Sequence, residues 1–432
     1  MSQSNSHHKK NQPSRRDFIV ASSGAVSAAI LAGSTIPAYA AENNTLKVGL
    51  IGCGGRGSGA AQQALMADPN TELVAMHDTF QDQIDGCLKK FKDSRVKDRV
   101  KVTPENQFTG FDGYKDLVDV CDVIVMASPP HFRPAHLAYA VEKGKHVFCE
   151  KPVAVDAPGI RSVLATCAEA KKKNLNIVSG LCYRYQFAKQ DTIQRIHDGE
   201  IGDILVMETK YNTGSLWHKG RKPEWSDMEF QLRNWFYFNW LSGDHINEQH
   251  IHSLDKIAWA MNDAPPAKAT SSGGRIQRTD PKYGNVYDHF NTTYEWDNGV
   301  KAFSSCRQWD NASTNVSDQI YGTKGTARVQ DHTIESHKGK SWRHKKTGPD
   351  DMYQNEHNAL FAAIRSGDTI NNGQYMCNSN LMAIMGRMAA YTGKTVTWEE
   401  ALNSKLELTP PAYDWVDVPI APVAQPGITE FI

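Results

Sequence analysis

The stretch Leu46-Lys47-Val48-Gly49-Leu50-Ile51 constrains this chain more than any other. It is a short apolar run that reads as a buried strand, turns at once into Gly52-Cys53-Gly54-Gly55-Arg56-Gly57, and continues as an alanine-rich helical segment to about Ala67. In G-x-G-x-x-G the first glycine, Gly52, permits the tight turn and the second, Gly54, lets backbone approach a pyrophosphate. Gly57 allows close packing of a helix whose free N–H groups, with Gly55 and Arg56 in its first turn, face the phosphates. A second strand, Leu73–His77, ends at Asp78, twenty-one residues after Gly57. A carboxylate there can accept hydrogen bonds from both adenosine ribose hydroxyls and would repel a 2′-phosphate, so the expected cofactor is NAD, with NADP disfavoured. Alone, the glycines fit any tight loop and Asp78 fits a helix N-cap; together they read as a dinucleotide site.

The pattern then alternates. Helices are expected near 80–91, 134–143 and 158–173, and strands at 122–127, 145–149 and 176–180. Such alternation implies a parallel sheet covered on both faces, with ligands beyond the carboxyl ends of its strands. Ser128, Pro129 and His131 follow one such end and are expected to border the nicotinamide half of the cofactor. Further on, strands near 267–277, 287–296, 300–308 and 316–321, separated by polar turns such as Asp297-Asn298-Gly299, read as antiparallel sheet. Helices near 353–366 and 376–392 and a proline-rich tail follow. The chain of 432 residues is therefore divided into a nucleotide-binding domain over 45–180, a second α/β domain over 181–405 and a tail over 406–432.

Composition narrows the function classes. Forty-eight basic residues balance forty-eight acidic ones, so there is no polybasic surface for nucleic acid. The eight cysteines are scattered with no C-x-x-C pair, which argues against a disulfide framework or a cysteine zinc site. Ser14-Arg15-Arg16-Asp17-Phe18, a weakly apolar run to about Leu31 and Ala38-Tyr39-Ala40 resemble a twin-arginine export signal over residues 1–40. Its removal takes away four basic residues and one acidic one, leaving 44 against 47, a net charge of −3. The expected location is the periplasm or beyond, without membrane insertion of the mature chain. That export route moves proteins already folded, which implies that the NAD is tightly bound.

The strand at 145–149 runs into Glu150-Lys151-Pro152. With the glycine fingerprint, the Ser128-Pro129-Pro130-His131 loop and a later His252-Ser253-Leu254-Asp255, this chain resembles the Gfo/Idh/MocA oxidoreductases over nearly its whole mature length. The resemblance implies a Rossmann domain followed by an α/β domain built on a large, mostly antiparallel open sheet, whose outer face often mediates oligomerisation. A dimer or tetramer is expected. It also implies that Lys151 contacts the reacting hydroxyl, that Glu150 fixes the local structure beside the cofactor, and that His252 touches the substrate carbinol. Glu248 stands where the family places an aspartate, and His250 where glycine is frequent. On physical grounds, Lys151 near a positively charged nicotinamide has its ammonium form disfavoured by like charge, which suits acid–base work, and it can also donate to an alkoxide.

From Gly243 onward a helical pattern puts His245, Glu248, His252 and Asp255 at spacings of 3, 4 and 3, on one face of one helix. That stripe reads as proton-handling groups at a substrate, as a metal site through His245, Glu248 and His252, or as an internally satisfied buried face. The metal reading lacks a fourth ligand, and no metal is expected. Between the domains, Tyr183 and Arg184 match a region where the family places aromatics and an arginine near substrate. Residues 211–240 hold nine aromatics in thirty, against a chain average of 9%, which calls for flat apolar surface. Sugar rings stack on such faces, so Trp217, His218 and Trp240 join Tyr183, Arg184 and His245 as substrate candidates, with Arg307 and Trp309 at a strand end in second rank. The expected activity is NAD-dependent hydride transfer at a sugar, glycoside or cyclitol hydroxyl by Lys151, His252 and Glu248. The alternatives are an NAD-dependent glycoside hydrolase working through transient oxidation at carbon 3, and a non-catalytic binder.

Overall fold

A computed structural model describes residues 44–430; the expected export signal lies outside them. Strands β1 (Leu46–Ile51), β2 (Thr71–His77), β3 (Gln107–Phe108), β4 (Val123–Met126), β5 (His146–Cys149) and β6 (Ile177–Ser179) form one parallel sheet in the order β3-β2-β1-β4-β5-β6. Strands β4 and β5 are buried along their whole length, which is why they read as continuous apolar runs without alternation. Val48, Leu50 and Ile51 in β1 are fully buried, each contributing about 1.5–3 kcal/mol. The strand order reverses between β1 and β4, and the connections there leave on opposite faces, opening a crevice beyond their carboxyl ends. Gly52, Ala127 and Glu150 are the first residues past β1, β4 and β5.

The second sheet contains β7 (Ile204–Thr213), β8 (Lys268–Gly274), β9 (His289–Glu295), β10 (Lys301–Gln308), β11 (Asn315–Gly322), β12 (Gly325–Arg328), β13 (Thr333–Ser336), β14 (Ser341–Arg343) and β15 (Val396–Thr397). Its order is β14-β13-β12-β11-β7-β10-β9-β8-β15; β7 and β10 pair in parallel and every other neighbour is antiparallel. Along β10, Ala302, Ser304, Cys306 and Gln308 are buried while Lys301 and Phe303 are exposed, so helices cover one face and the other stays open. The helix Gly373–Thr392 packs against β8 and against helix Ala157–Lys172, and it is buried nearly all round. Among the described residues no helix is long and apolar enough to cross a membrane.

One feature departs from expectation. The helix expected from 243 to 261 is broken into His245–Glu248 and Ile251–Ala260, with Gln249 and His250 between, so the four-residue stripe does not lie on one continuous helix. The first piece starts at Asp244, whose φ of 71° and side-chain bond to the His245 N–H fix the turn. The tail, expected to wrap a surface or a neighbouring subunit, straps the chain's own surface. Leu408 N–H donates to Asp156 Oδ2, the carbonyls of Val416 and Val418 accept from the Met228 N–H and Gln231 Nε2, and Tyr287 Oη donates to the Ala424 carbonyl.

Candidate active site

The glycine turn is built to the spacing its sequence requires. Gly52 adopts φ +92°, and a Cβ on Gly57 would stand 1.8 Å from the Gly52 carbonyl oxygen, so neither position admits a side chain. A Cβ on Gly54 or Gly55 would meet nothing within 4 Å; both border open space. Asp78 Oδ2 accepts from the Cys53 N–H at 2.8 Å and Oδ1 from the Phe80 N–H at 3.1 Å. Burial lifts this carboxyl to about 6, against the pull of those two N–H groups and of the Lys219 ammonium. Between them lies a cleft of about 420 Å³. One wall is the glycine turn with Asp78, Thr79, Phe80 and Pro129, and the other is Trp217, Lys219, Leu232, Arg233 and Trp235. A bare glycine cradle, an acidic ribose position and a slot between aromatics fit a dinucleotide.

At the nicotinamide end, past β4 and β5, charge is tightly arranged. The Arg56 guanidinium pairs with Glu150 and, at 2.7 Å, with Glu356, which is wholly buried. Burial raises Glu356 well above the usual carboxylate range and the neighbouring Glu150 charge adds to this, while Arg56 opposes both. Glu150 Oε2 accepts the Lys151 N–H at 3.1 Å, so the same carboxylate ties the glycine-loop arginine to the base of Lys151. Lys151 Nζ donates to Glu248 Oε1 at 3.0 Å and to the Glu248 carbonyl. His252 follows on the next helix, Ile251–Ala260. Its Nδ1 is buried with no hydrogen-bond partner and its ring centroid is 5.0 Å from that of Tyr183. Burial holds this imidazole far below its ordinary value, and the Lys151 ammonium is the next largest cause, so His252 is a neutral ring.

A buried amide pair sets the distance between these groups. Asn380 Oδ1 accepts the N–H groups of Val153 and Ala154, at 2.8 and 3.0 Å, just past Lys151. Its Nδ2 donates to Asn247 Oδ1 at 2.6 Å, the residue before Glu248. The loop carrying Lys151 and the short helix carrying Glu248 are thus both anchored to the buried helix Gly373–Thr392.

Other sequence candidates lie elsewhere. Arg184 is buried in an ion-paired cluster, bidentate to Asp255 and paired with Asp263, with Tyr375 at 4.3 Å from its Cζ; it is engaged by protein on all sides. His245 Nδ1 bonds Asp244 at 2.9 Å and its ring packs on Phe290, and His245, Glu248 and His252 do not form a metal-holding group. Among the described residues no cluster of three His, Cys, Asp or Glu side chains is placed to hold a metal ion. Trp217 lines the dinucleotide cleft, and His218 Nε2 bonds the Lys282 carbonyl amid Phe230, Tyr237 and Tyr283. Trp240 donates to Gln231 and packs on His131, whose Nε2 meets Tyr413 Oη at 2.7 Å; His131 is turned toward the tail rather than into the cleft. Arg307 lies on the alternate register of β10 from buried Gln308 and donates to the Ser313 carbonyl, and Trp309 donates to Asp288. Ser128 sits under the turn, its Oγ 3.1 Å from His136 Nδ1.

Comparison with known proteins agrees with this geometry. Residues 46–177 match the model described as the oxidoreductase family with an NAD-binding Rossmann fold, and residues 190–328 match the GFO/IDH/MocA C-terminal domain. The chain belongs to the Gfo/Idh/MocA oxidoreductase family. Within it, a 2,7-anhydro-N-acetylneuraminate hydratase of Escherichia coli is 27% identical over 211 residues, 48% of this chain and 51% of that protein. A glycosyl hydrolase family 109 protein of Shewanella baltica is 24% identical over 270 residues, 57% of this chain and 55% of its own. The chain thus spans about half the length of the curated relatives it matches. Among solved structures, the myo-inositol 2-dehydrogenase of Lactobacillus plantarum superposes with a TM-score of 0.63 at 20% identity, covering 82% of this chain and 99% of that one. A levoglucosan dehydrogenase in complex with NADH and levoglucosan gives 0.62 at 18%, with coverages of 82% and 99%. These likenesses establish the fold.

Proposed function

We propose that this chain is an exported NAD-dependent oxidoreductase that acts on a hydroxyl of a sugar, glycoside or cyclitol. The observation that carries this reading is the ion pair, just past the end of β5, of Lys151 with Glu248, four residues before His252, joined through Glu150 and Arg56 to a glycine-lined dinucleotide cleft. NAD, when bound, supplies a nicotinamide that takes up a hydride from the substrate carbon or returns one. The chain's own groups handle the proton and the geometry. Lys151 donates a hydrogen bond to the reacting oxygen and Glu248 holds the ammonium in place; Lys151 and His252 together handle the hydroxyl proton, with the neutral imidazole as its hydrogen-bond acceptor. The exposed Phe303 and Tyr321 on the open face of the second sheet offer the surface for a dimer or tetramer.

A second reading is favoured by the wall of Trp217, Arg233 and Trp235 across the cleft, which suits a cofactor that is restored in place. In it, oxidation at carbon 3 of a glycoside acidifies the neighbouring C–H, the aglycone is eliminated, water adds, and the carbonyl is reduced again, so the net reaction is hydrolysis. The names of the glycosyl hydrolase family 109 and hydratase relatives are in keeping with it. Incubation of the purified protein with a glycoside panel, with and without an external electron acceptor, separates the readings. Keto-sugar formed only with acceptor supports the dehydrogenase, and acceptor-independent aglycone release supports the hydrolase. Absence of both overturns the enzyme.

A further inference from the structure

We propose that residues 214–235 form a clasp over the adenosine half of the dinucleotide cleft, with the indoles of Trp217 and Trp235 against the base, so that NAD stays on the protein between turnovers. The inference rests on the NAD site described above and assigns residues of the second domain to it.

The adenosine half is fixed by Asp78, the ribose-binding position. Facing it across the cleft stand Trp217, Lys219, Arg233 and Trp235, all contributed from beyond the nucleotide-binding sheet. Trp217 is 45% exposed although it is a large aromatic, and its ring centroid lies 6.4 Å from that of Trp235, tilted by 60°. An indole held at a cleft mouth with an open face is a stacking platform, and every nucleobase presents a π-face to it.

The segment is latched on both sides. Arg233 reaches across to Asp82 through two bonds of 3.1 Å, while its Cζ lies 3.9 Å from the centroid of the Phe80 ring, two residues past Asp78. Its Nε also donates to Glu229 at 2.7 Å on its own helix. The loop carrying Trp217 is pinned by the buried Asn234, which accepts the Lys219 N–H at 2.7 Å and donates to the Lys219 carbonyl at 3.1 Å. The tail closes over the latch. Trp415 packs 5.5 Å from Phe80 and 5.2 Å from Phe111, next to the carbonyls that hold Met228 and Gln231. Release of a dinucleotide through this side therefore requires the Arg233 bridge to part and the indoles to withdraw.

The test uses the full chain loaded with NAD, freed of excess by gel filtration and chased with an etheno-adenine analogue whose fluorescence reports exchange. Wild-type protein is expected to keep its NAD through the column. Trp217→Ala is expected to release it about 10- to 100-fold faster, the range of one lost base–aromatic stack. Arg233→Met should speed release as well, and Trp217→Phe should restore slow exchange. Circular dichroism on each variant establishes folding independently of activity. Release at the wild-type rate from both Trp217→Ala and Arg233→Met overturns the clasp while leaving the NAD site intact. Wild-type protein that takes up no NAD removes the site itself and the clasp with it.

Discussion

Lys151 Nζ lies 3.0 Å from Glu248 Oε1 and also donates to the carbonyl of the same residue. A glutamate at this position makes that double hold because the short helix His245–Glu248 ends there, leaving its last carbonyl free of an intrahelical partner. An ammonium fixed at two points is aimed rather than swept through solvent. Lys151→Ala is expected to lower kcat by about 10²–10⁴-fold, the usual contribution of a positioned proton-handling group. Bound NAD, read by absorbance after gel filtration, should be unchanged. Wild-type turnover in this variant would take Lys151 out of the reaction.

The neutral state of His252 has its own kinetic signature. Burial, Lys151 and Lys256 all act against the imidazolium, so this ring does not titrate near its ordinary value. The pH–rate profile of the wild-type enzyme should show no histidine limb between about pH 6 and 7.5. His252→Asn should lower kcat/KM about 10- to 100-fold with the profile unchanged in shape over that range. A limb near 6.5 that disappears in His252→Asn would contradict the burial argument.

The parallel sheet, the glycine turn, Asp78 and the lysine after β5 were legible in the sequence because each depends on local signals: an apolar run, a turn that admits no Cβ, a strand end. Strands β8 to β11 were legible through alternation. Strand β7 was not, although it lies at the centre of the second sheet, because only Met207 and Thr209 in it are buried and its polar residues hide the period. The continuous helix through His245 and His252 failed for a related reason. The 3.6-residue spacing persists through a break that Asp244 and His250 impose through side-chain bonds to Tyr287, Tyr391 and Ser304, residues distant in sequence. The aromatic run at 211–240 divides between a buried core and the cleft wall, a division that spacing could not reveal. Trp217 and Trp235 line the dinucleotide cleft, whereas Phe236, Tyr237 and Phe238 are buried core.

Arg184 shows how a residue that suits a substrate can serve the scaffold. Its guanidinium satisfies Asp255, which is fully buried, and Asp263, and Ser379 donates to the same Asp255 carboxylate. Removing the cation strands a buried carboxylate, so Arg184→Met is expected to cost about 3–5 kcal/mol in urea unfolding. The folded fraction should keep its KM within about twofold. A large rise in KM without loss of stability would return Arg184 to the substrate site.

Buried imidazoles also govern how the fold responds to acid. Burial pushes His77, His131 and His146 down to about 4 and His250 to about 3, and holds His136, His252 and His357 well below the ordinary value. In the unfolded chain each titrates near 6.5, so below that pH the unfolded state takes up protons that the native state refuses. Stability from these groups is therefore complete above about pH 6.5 and is lost as pH falls, by up to about 1.4 kcal/mol per pH unit for each histidine. Asp78, lifted to about 6, and Asp255 and Glu356, also raised by burial, act in the opposite sense because their native forms gain protons first. The histidines outnumber them, so urea unfolding is expected to show a net loss of stability between pH 7 and 5.5. His357 gives the sharpest check, since both ring nitrogens lack hydrogen-bond partners and its ring packs 4.1 Å from Phe148. Replacement by Leu sacrifices no hydrogen bond and should flatten the acid slope by about one histidine's share; an unchanged slope in that variant would show that His357 is not held neutral.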